Sequence, residues 1–233
     1  MFSCYRPVAD ATPIPADQIR LSAREWERLL DLAHCNKAAA FSEFAAFYLA
    51  SSGQIYWSDT HQLNLYLEDY HAALDARLEA PVPATEMITE LYVPRDRLWA
   101  FMESVRRDFL AHSVNLVYGT IRLIERDTDT FLPWARERYA CVIFNLHVEH
   151  SPAGIEPARA TFERLIDLAI DQGGSYFLTY HRYARRDQLL ACYPQFTDFL
   201  ERKRALDPQD LFASDWYRHC RALVANGREA RTR

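Results

Sequence analysis

Cys141, Asn145 and His147 place a thiol, an amide and an imidazole at odd-numbered positions of one uninterrupted run, Arg138 to Val148. The run holds no Gly or Pro and is rich in Val, Ile and Phe, so it reads as a central β-strand. Side chains alternate along a strand. Cys141, Ile143, Asn145 and His147 therefore share one face, and Val142, Phe144, Leu146 and Val148 share the other. The second face is wholly apolar and belongs against helices. The first is an odd mixture for a plain core and a reasonable one for the wall of a ligand site.

The same alternation applies to the neighbouring apolar runs. It adds Glu86, Ile88, Glu90 and Tyr92, then Tyr118, Thr120, Arg122 and Ile124, to the polar face. Met87, Leu91 and Val93, with Gly119, Ile121 and Leu123, fall on the apolar one. A solvated sheet face carries mostly Lys, Thr and Glu, and fewer Tyr, Cys, Asn and His. The mixture therefore favours a buried face lining a pocket over a half-exposed sheet with chance polar residues. A further run, Ser175 to His181, reads as a strand leading into Arg182, Tyr183, Arg185 and Arg186. An aromatic, imidazole and guanidinium cluster at a strand end suits recognition of hydroxyls or of an anion, and a plain basic loop is the competing reading. His147 and His150 stand three positions apart on a strand and so point to opposite faces, which argues against a shared metal. Asp59-Thr-His61 is no stronger. Cys141 has no thiolate-stabilising partner in the sequence and reads as a small buried hydrophobe.

The elements that position these residues follow from pattern. Residues 1–20, with Pro7, Pro13 and Pro15, form an extended lead-in. Ser22 and Glu25 make a capping box that opens a helix, and a second helix covers Lys37 to Leu49. Leu63 to Leu78 is amphipathic, and Glu79-Ala-Pro-Val-Pro83 is a linker. A duplication comes next. A strand over Thr85–Val93, a helix over Asp96–Ala111 and a strand over Val114–Ile124 are followed by a strand over Tyr139–Val148, a helix over Glu156–Gln172 and the strand over Ser175–His181. Two β-α-β units in series predict an α+β, ferredoxin-like fold, with four antiparallel strands covered by helices on one face. Helical N- and C-terminal extensions complete it, the last of them a short helix over Asp215–Ala225 followed by a tail from Gly227. The domain reading is a helical lead-in over 1–80, a main domain over 81–218 and a tail over 219–233.

Composition bounds the rest. Hydrophobic residues make up 49% and charged residues 25%, as in ordinary globular proteins. The net charge of -5 does not point to nucleic acid. No apolar run reaches membrane-spanning length, and the N-terminus lacks a signal-peptide core. Five scattered cysteines without a CxxC pair fit a reduced, cytoplasmic setting with no disulfide framework and no zinc site. Six glycines leave little room for a Gly-rich phosphate loop.

Three segments in order carry a resemblance: Gly173-Gly-Ser-Tyr-Phe-Leu-Thr-Tyr-His181, then Cys192-Tyr-Pro-Gln-Phe-Thr-Asp-Phe199, then Lys203-Arg-Ala-Leu-Asp-Pro-Gln-Asp-Leu-Phe-Ala-Ser-Asp215. Together they resemble the C-terminal end of FAD-linked oxidases of the vanillyl-alcohol oxidase superfamily, in particular the sugar-lactone oxidases, the alditol oxidases and the decaprenylphosphoryl-ribose oxidase. Tyr92-Val-Pro94 and Gly119-Thr-Ile-Arg-Leu-Ile124 look like earlier strands of the same substrate domain, so the likeness spans about residues 85–218. It implies oxidation of an alcohol of a sugar, sugar lactone or polyol by hydride transfer to flavin. On this likeness Tyr180 falls where related enzymes often have an active-site lysine, which turns attention to its phenol, with a pKa lowered by positive neighbours, or to His181. Arg122 falls at a basic pocket position, Cys141 at a pocket-lining one and Glu90 at a polar substrate-facing one. Asn145 and His147 join them from alternation alone.

The superfamily's Gly-rich FAD domain has no counterpart in this sequence. The likeness therefore implies a substrate domain only, from a truncated product, an isolated domain or half of a split enzyme. FAD would be held mainly by a domain outside this chain. An uncovered pocket face favours a partner, either a flavin-bearing chain or a second copy. Two other readings stay open: a non-enzymatic ferredoxin-like module for ligand binding or dimerisation, and a cofactor-free oxygenase using His147 or His181 as base.

Overall fold

The computed structural model describes residues 4–57 and 70–229, in two compact units, the first ending at Pro81 and the second starting at Val82. The expected features that fall on residues 58–69, including Asp59-Thr-His61 and the start of the amphipathic segment, lie outside the described residues.

The first unit is helical. Helix α1 (Ala23–Cys35) opens on the capping box: the Ser22 amide donates to Glu25 Oε2 at 2.7 Å, and the Glu25 amide donates back to Ser22 Oγ at 3.3 Å. Asn36 ends α1 and caps α2 (Lys37–Ala50), its Oδ1 accepting from the Ala39 amide. Trp26 meets Phe44 between the two helices, and Arg28 pairs with Glu43. Helix α3 (Tyr70–Arg77) closes the unit.

The second unit carries the duplicated β-α-β. Strand β1 (Ala84–Pro94) is followed by a 3-10 turn, helix α4 (Leu98–Ala111) and β2 (Leu116–Ile124). Strand β3 (Tyr139–Glu149) is followed by α5 (Pro152–Asp171) and β4 (Ser175–Tyr176). The sheet order is β2-β3-β1-β4, with each neighbouring pair antiparallel. This is the ferredoxin-like arrangement that two split β-α-β units generate.

Register places Leu91 opposite Val142 and Met87 opposite Leu146. These side chains, with Val93, Phe144 and Val148, pack under Phe101 and Val105 of α4 and Phe162, Leu165, Ile166 and Ala169 of α5. The two helices are tied side by side by Arg164, which grips Asp108 with two bonds at 2.7 and 3.2 Å.

Three boundaries differ from the sequence reading, each for a physical reason. Helix α5 begins at Pro152 rather than Glu156, because Ser151 caps it and proline suits the first helical turn. Strand β4 ends at Tyr176 rather than His181. Only Leu91–Tyr176 and Tyr92–Ser175 pair, one more bond runs from the Phe177 amide to the Glu90 carbonyl at 2.9 Å, and the chain then turns away. The last helix, expected over Asp215–Ala225, runs further than expected: after α6 (Arg186–Cys192) and α7 (Phe196–Leu206), α8 extends from Asp215 to Glu229, into the region assigned to the tail. Tyr217, Cys220 and Val224 bury the inner side of α8, which an amphipathic helix needs in order to persist.

The Asp207-Pro-Gln-Asp segment between α7 and α8 is an ion-paired turn. Asp207 accepts the Leu211 and Phe212 amides at 2.9 Å each and pairs with Lys203, which also reaches Asp210. Lys203, and then the Phe212 amide, hold the Asp207 carboxyl down to about 2.

Candidate functional site

The sheet face turned away from α4 and α5 is a lattice of cross-strand rows. Arg122, Cys141 and Tyr92 form one row; Thr120, Ile143 and Glu90 form the next; Tyr118, Asn145 and Ile88 form the third; His147 and Glu86 follow. Period-two alternation thus puts Glu90, Arg122, Cys141, Asn145 and His147 on one face, as the sequence pattern implies.

The centre of the wall is the Glu90 carboxylate, with the residue only 9% exposed. Tyr92, two residues on along the same strand, donates its hydroxyl to Glu90 Oε1 at 2.6 Å. Cys141 donates its thiol to the same oxygen at 3.1 Å from the facing strand. Burial, followed by the bond to Glu90, raises both groups, so the phenol and the thiol stay protonated. Arg122 lies on the exposed side of this group, and its charge works against the rise at Cys141.

Tyr180 reaches the same neighbourhood from the turn after β4. Its ring packs on Phe177 at 5.0 Å and it stays 46% exposed. Its phenol is raised by partial burial first and then by Glu90, with Arg122 opposing. The expected lowering by positive neighbours is therefore overturned, because a carboxylate is the charge that dominates there. The rise keeps the Tyr180 phenol protonated.

His181 does not join it. The turn sends the next side chain through to the helix side of the sheet, where the imidazole stacks on Phe162 at 4.4 Å and on Tyr183 at 5.6 Å. Its Nε2 stands 3.3 Å from Thr89 Oγ1, a residue of the core face, and its Nδ1 takes the Tyr183 amide at 3.4 Å. Burial lowers its pKa to about 4. A strand continuing through Tyr180 and His181 would also have separated the two by alternation. The expectation that both serve one site fails on that geometry.

Asn145 is 3% exposed, and its Oδ1 has no hydrogen-bond partner among the described residues. It lies one row from Glu90 on the same face. His147 lies further along, four positions beyond Ile143, the cross-strand partner of Glu90. At about 3.4 Å per residue this is roughly 13 Å from the carboxylate row. The structure thus gathers Glu90, Arg122, Cys141 and Tyr180, sets Asn145 beside them, and leaves His147 at the wall's far end and His181 behind it.

Sequence reasoning did not place the cover of the upper wall. The segment between β2 and β3 folds back over it: Ala135 is buried with Tyr92, Tyr139, Cys141 and Ile143, and Trp134 meets Tyr92 edge-on at 5.8 Å. Arg95 secures the start of the segment through the Ile124 carbonyl at 2.8 Å and Glu125 at 2.9 Å. Arg136 reaches the Gly174 carbonyl near its end. The only signal was the apolar stretch Phe131-Leu-Pro-Trp-Ala135 between the charged ends of the loop.

The chain has six glycines. Its one glycine pair, Gly173-Gly174, is used for packing: a Cβ at Gly174 would fall 2.1 Å from the Tyr92 carbonyl oxygen. No protein-family model matches the chain, and no curated protein is significantly similar to it. No helix among the described residues is long and apolar enough to cross a membrane.

Proposed function

We propose that this chain is the substrate-binding part of an FAD-dependent oxidoreductase that oxidises an alcohol of a sugar, sugar lactone or polyol. The observation that carries the reading is the meeting of Glu90, Arg122, Cys141 and Tyr180 on one sheet face that α4 and α5 do not cover. A neutral polyhydroxyl ligand matches that set. The carboxylate accepts from a hydroxyl, the guanidinium and the phenol donate to hydroxyl oxygens, and the buried Asn145 carbonyl takes a further one. An anionic ligand would meet the Glu90 charge.

In this reading a flavin borne outside this chain would supply the hydride-accepting chemistry. The chain's own part is to hold the carbinol in one orientation against it and to exclude water. A flavin-bearing partner and a small-molecule alcohol are the partners it implies.

The test is a heteronuclear NMR titration of the full chain with xylitol, sorbitol and a sugar lactone. Resonances of Thr120, Arg122, Asn145 and Tyr180 should move together and saturate. Arg122→Ala should weaken binding about tenfold, the loss of a charge-assisted bond. A wall that stays silent to all three ligands rules the reading out.

A further inference from the structure

Phe212 is large, apolar and 85% exposed, yet its backbone is held firmly. Asp207 accepts the Leu211 and Phe212 amides, and Lys203 balances its charge. Leu206, the last residue of α7, is 87% exposed. Phe131, in the segment between β2 and β3, is fixed by Gln195, whose side-chain amide donates to the Phe131 carbonyl at 3.2 Å. Phe199 is rooted in the core against Phe196 at 5.5 Å. The four apolar side chains Phe131, Phe199, Leu206 and Phe212 line one open groove of about 340 Å³ within the second unit. Small-ligand sites begin at that size, and mostly apolar walls are their usual make-up.

The groove also carries a cation without a counter-charge. Lys203 is shared by Asp207 and Asp210, and Asp210 is paired in turn with Arg221 and bonded by the Tyr217 hydroxyl at 3.0 Å. Arg202 instead lies over the Phe131 ring, its guanidinium carbon 4.6 Å from the ring centre. Among the described residues it makes no ion pair, either with Asp198 one turn back on α7 or with Glu201 beside it. A guanidinium stacked on a ring keeps its N–H edge open to a planar anion. The Asp207 carboxylate at the groove offers little opposition, since Lys203 and two amides already balance it.

From this pairing of an open guanidinium with an apolar groove we propose a binding site for an apolar monocarboxylate. The carboxylate bonds the N–H edge of Arg202, and the body of the ligand lies along Phe131, Phe199, Leu206 and Phe212. At roughly 30 Å³ for each water-sized group, the groove admits about ten non-hydrogen atoms, the size of octanoate. A free phosphate would use Arg202 alone and leave the apolar walls wet. A neutral hydrocarbon would leave the guanidinium without an anion. The groove shares no residue with the Glu90 wall, so the proposal stands whether or not that wall takes a polyol.

The test is an NMR titration of the full chain with octanoate, with octanol and butyrate as controls. The Arg202 Nε–H resonance and the ring resonances of Phe131, Phe199 and Phe212 should move together and saturate, with a Kd on the order of 1 mM for a ligand of this size in an open groove. Butyrate, which lacks four of the methylenes, should bind about tenfold more weakly. Arg202→Gln should weaken octanoate about tenfold and leave octanol unchanged. Phe212→Ser should weaken both. Arg202 and Phe212 are exposed, so neither change touches the core, and the wild-type titration decides even where a variant does not fold. No saturable response, octanol bound as tightly as octanoate, or either variant binding octanoate like wild type overturns the proposal. So do groove resonances that shift with protein concentration alone, which would put a second copy of the chain in the groove.

Discussion

Tyr180 and His181 are neighbours in the chain that end on opposite sides of the sheet. The phenol comes to rest beside Glu90, and the imidazole goes between Phe162 and Tyr183. The environment of each then decides its protonation. His181 is 6% exposed, and burial favours the neutral ring and lowers its pKa from 6.5 to about 4. Between those values the unfolded chain binds a proton that the folded chain does not. Stability from this group is thus complete above pH 6.5, falls as pH drops, and levels off below about 4. The full loss is about 3 kcal/mol. His181→Gln should remove that slope, which urea unfolding at pH 7 and pH 4.5 measures. An unchanged slope in the variant would show that another group is responsible.

Among the elements, the short β4 and the turn behind it do most to shape the site. Gly174 brings the chain so close to β1 that any Cβ would strike the Tyr92 and Ala169 carbonyls. Gly173, at φ 76°, makes the preceding turn. The turn after β4 is then tied from the C-terminal side: Trp216 of α8 donates its indole N–H to the Leu178 carbonyl at 2.7 Å, and Tyr193 bonds the Tyr176 carbonyl. The Phe-Ala-Ser-Asp-Trp ending thus aims Tyr180 without touching the wall. Gly174→Ala should cost about 3 kcal/mol by overpacking and shift the β4 turn. Denaturant midpoints and the Tyr180 resonance report the two effects, and a variant as stable as wild type would show that the close approach is slack.

For the whole molecule, the second unit carries its own core. Leu91, Val93, Phe101, Phe162, Leu165, Ile166 and Phe196 are all fully buried between the sheet and its helices. A chain of residues 82–229 should fold by itself. Circular dichroism should show helix and strand together, and heating should give one cooperative transition. A broad, gradual melt would show that this core is insufficient alone.

How much of this was legible beforehand depends on the range of the interaction concerned. The strands, the capping box at Ser22 and the division of each strand into a polar and an apolar face follow from local propensity and from alternation with period two. Both are properties of contiguous residues, so the ferredoxin-like order and the shared face of Glu90, Arg122, Cys141 and Asn145 could be read directly. Only tertiary structure decided that Tyr92 and Cys141 converge on one Glu90 oxygen, that Trp134 and Ala135 return over the upper wall, and that His181 turns inward. These depend on contacts between residues far apart in the chain. Which side chain meets which, and the protonation that follows, is settled by the packing and burial of the folded chain and by no local pattern.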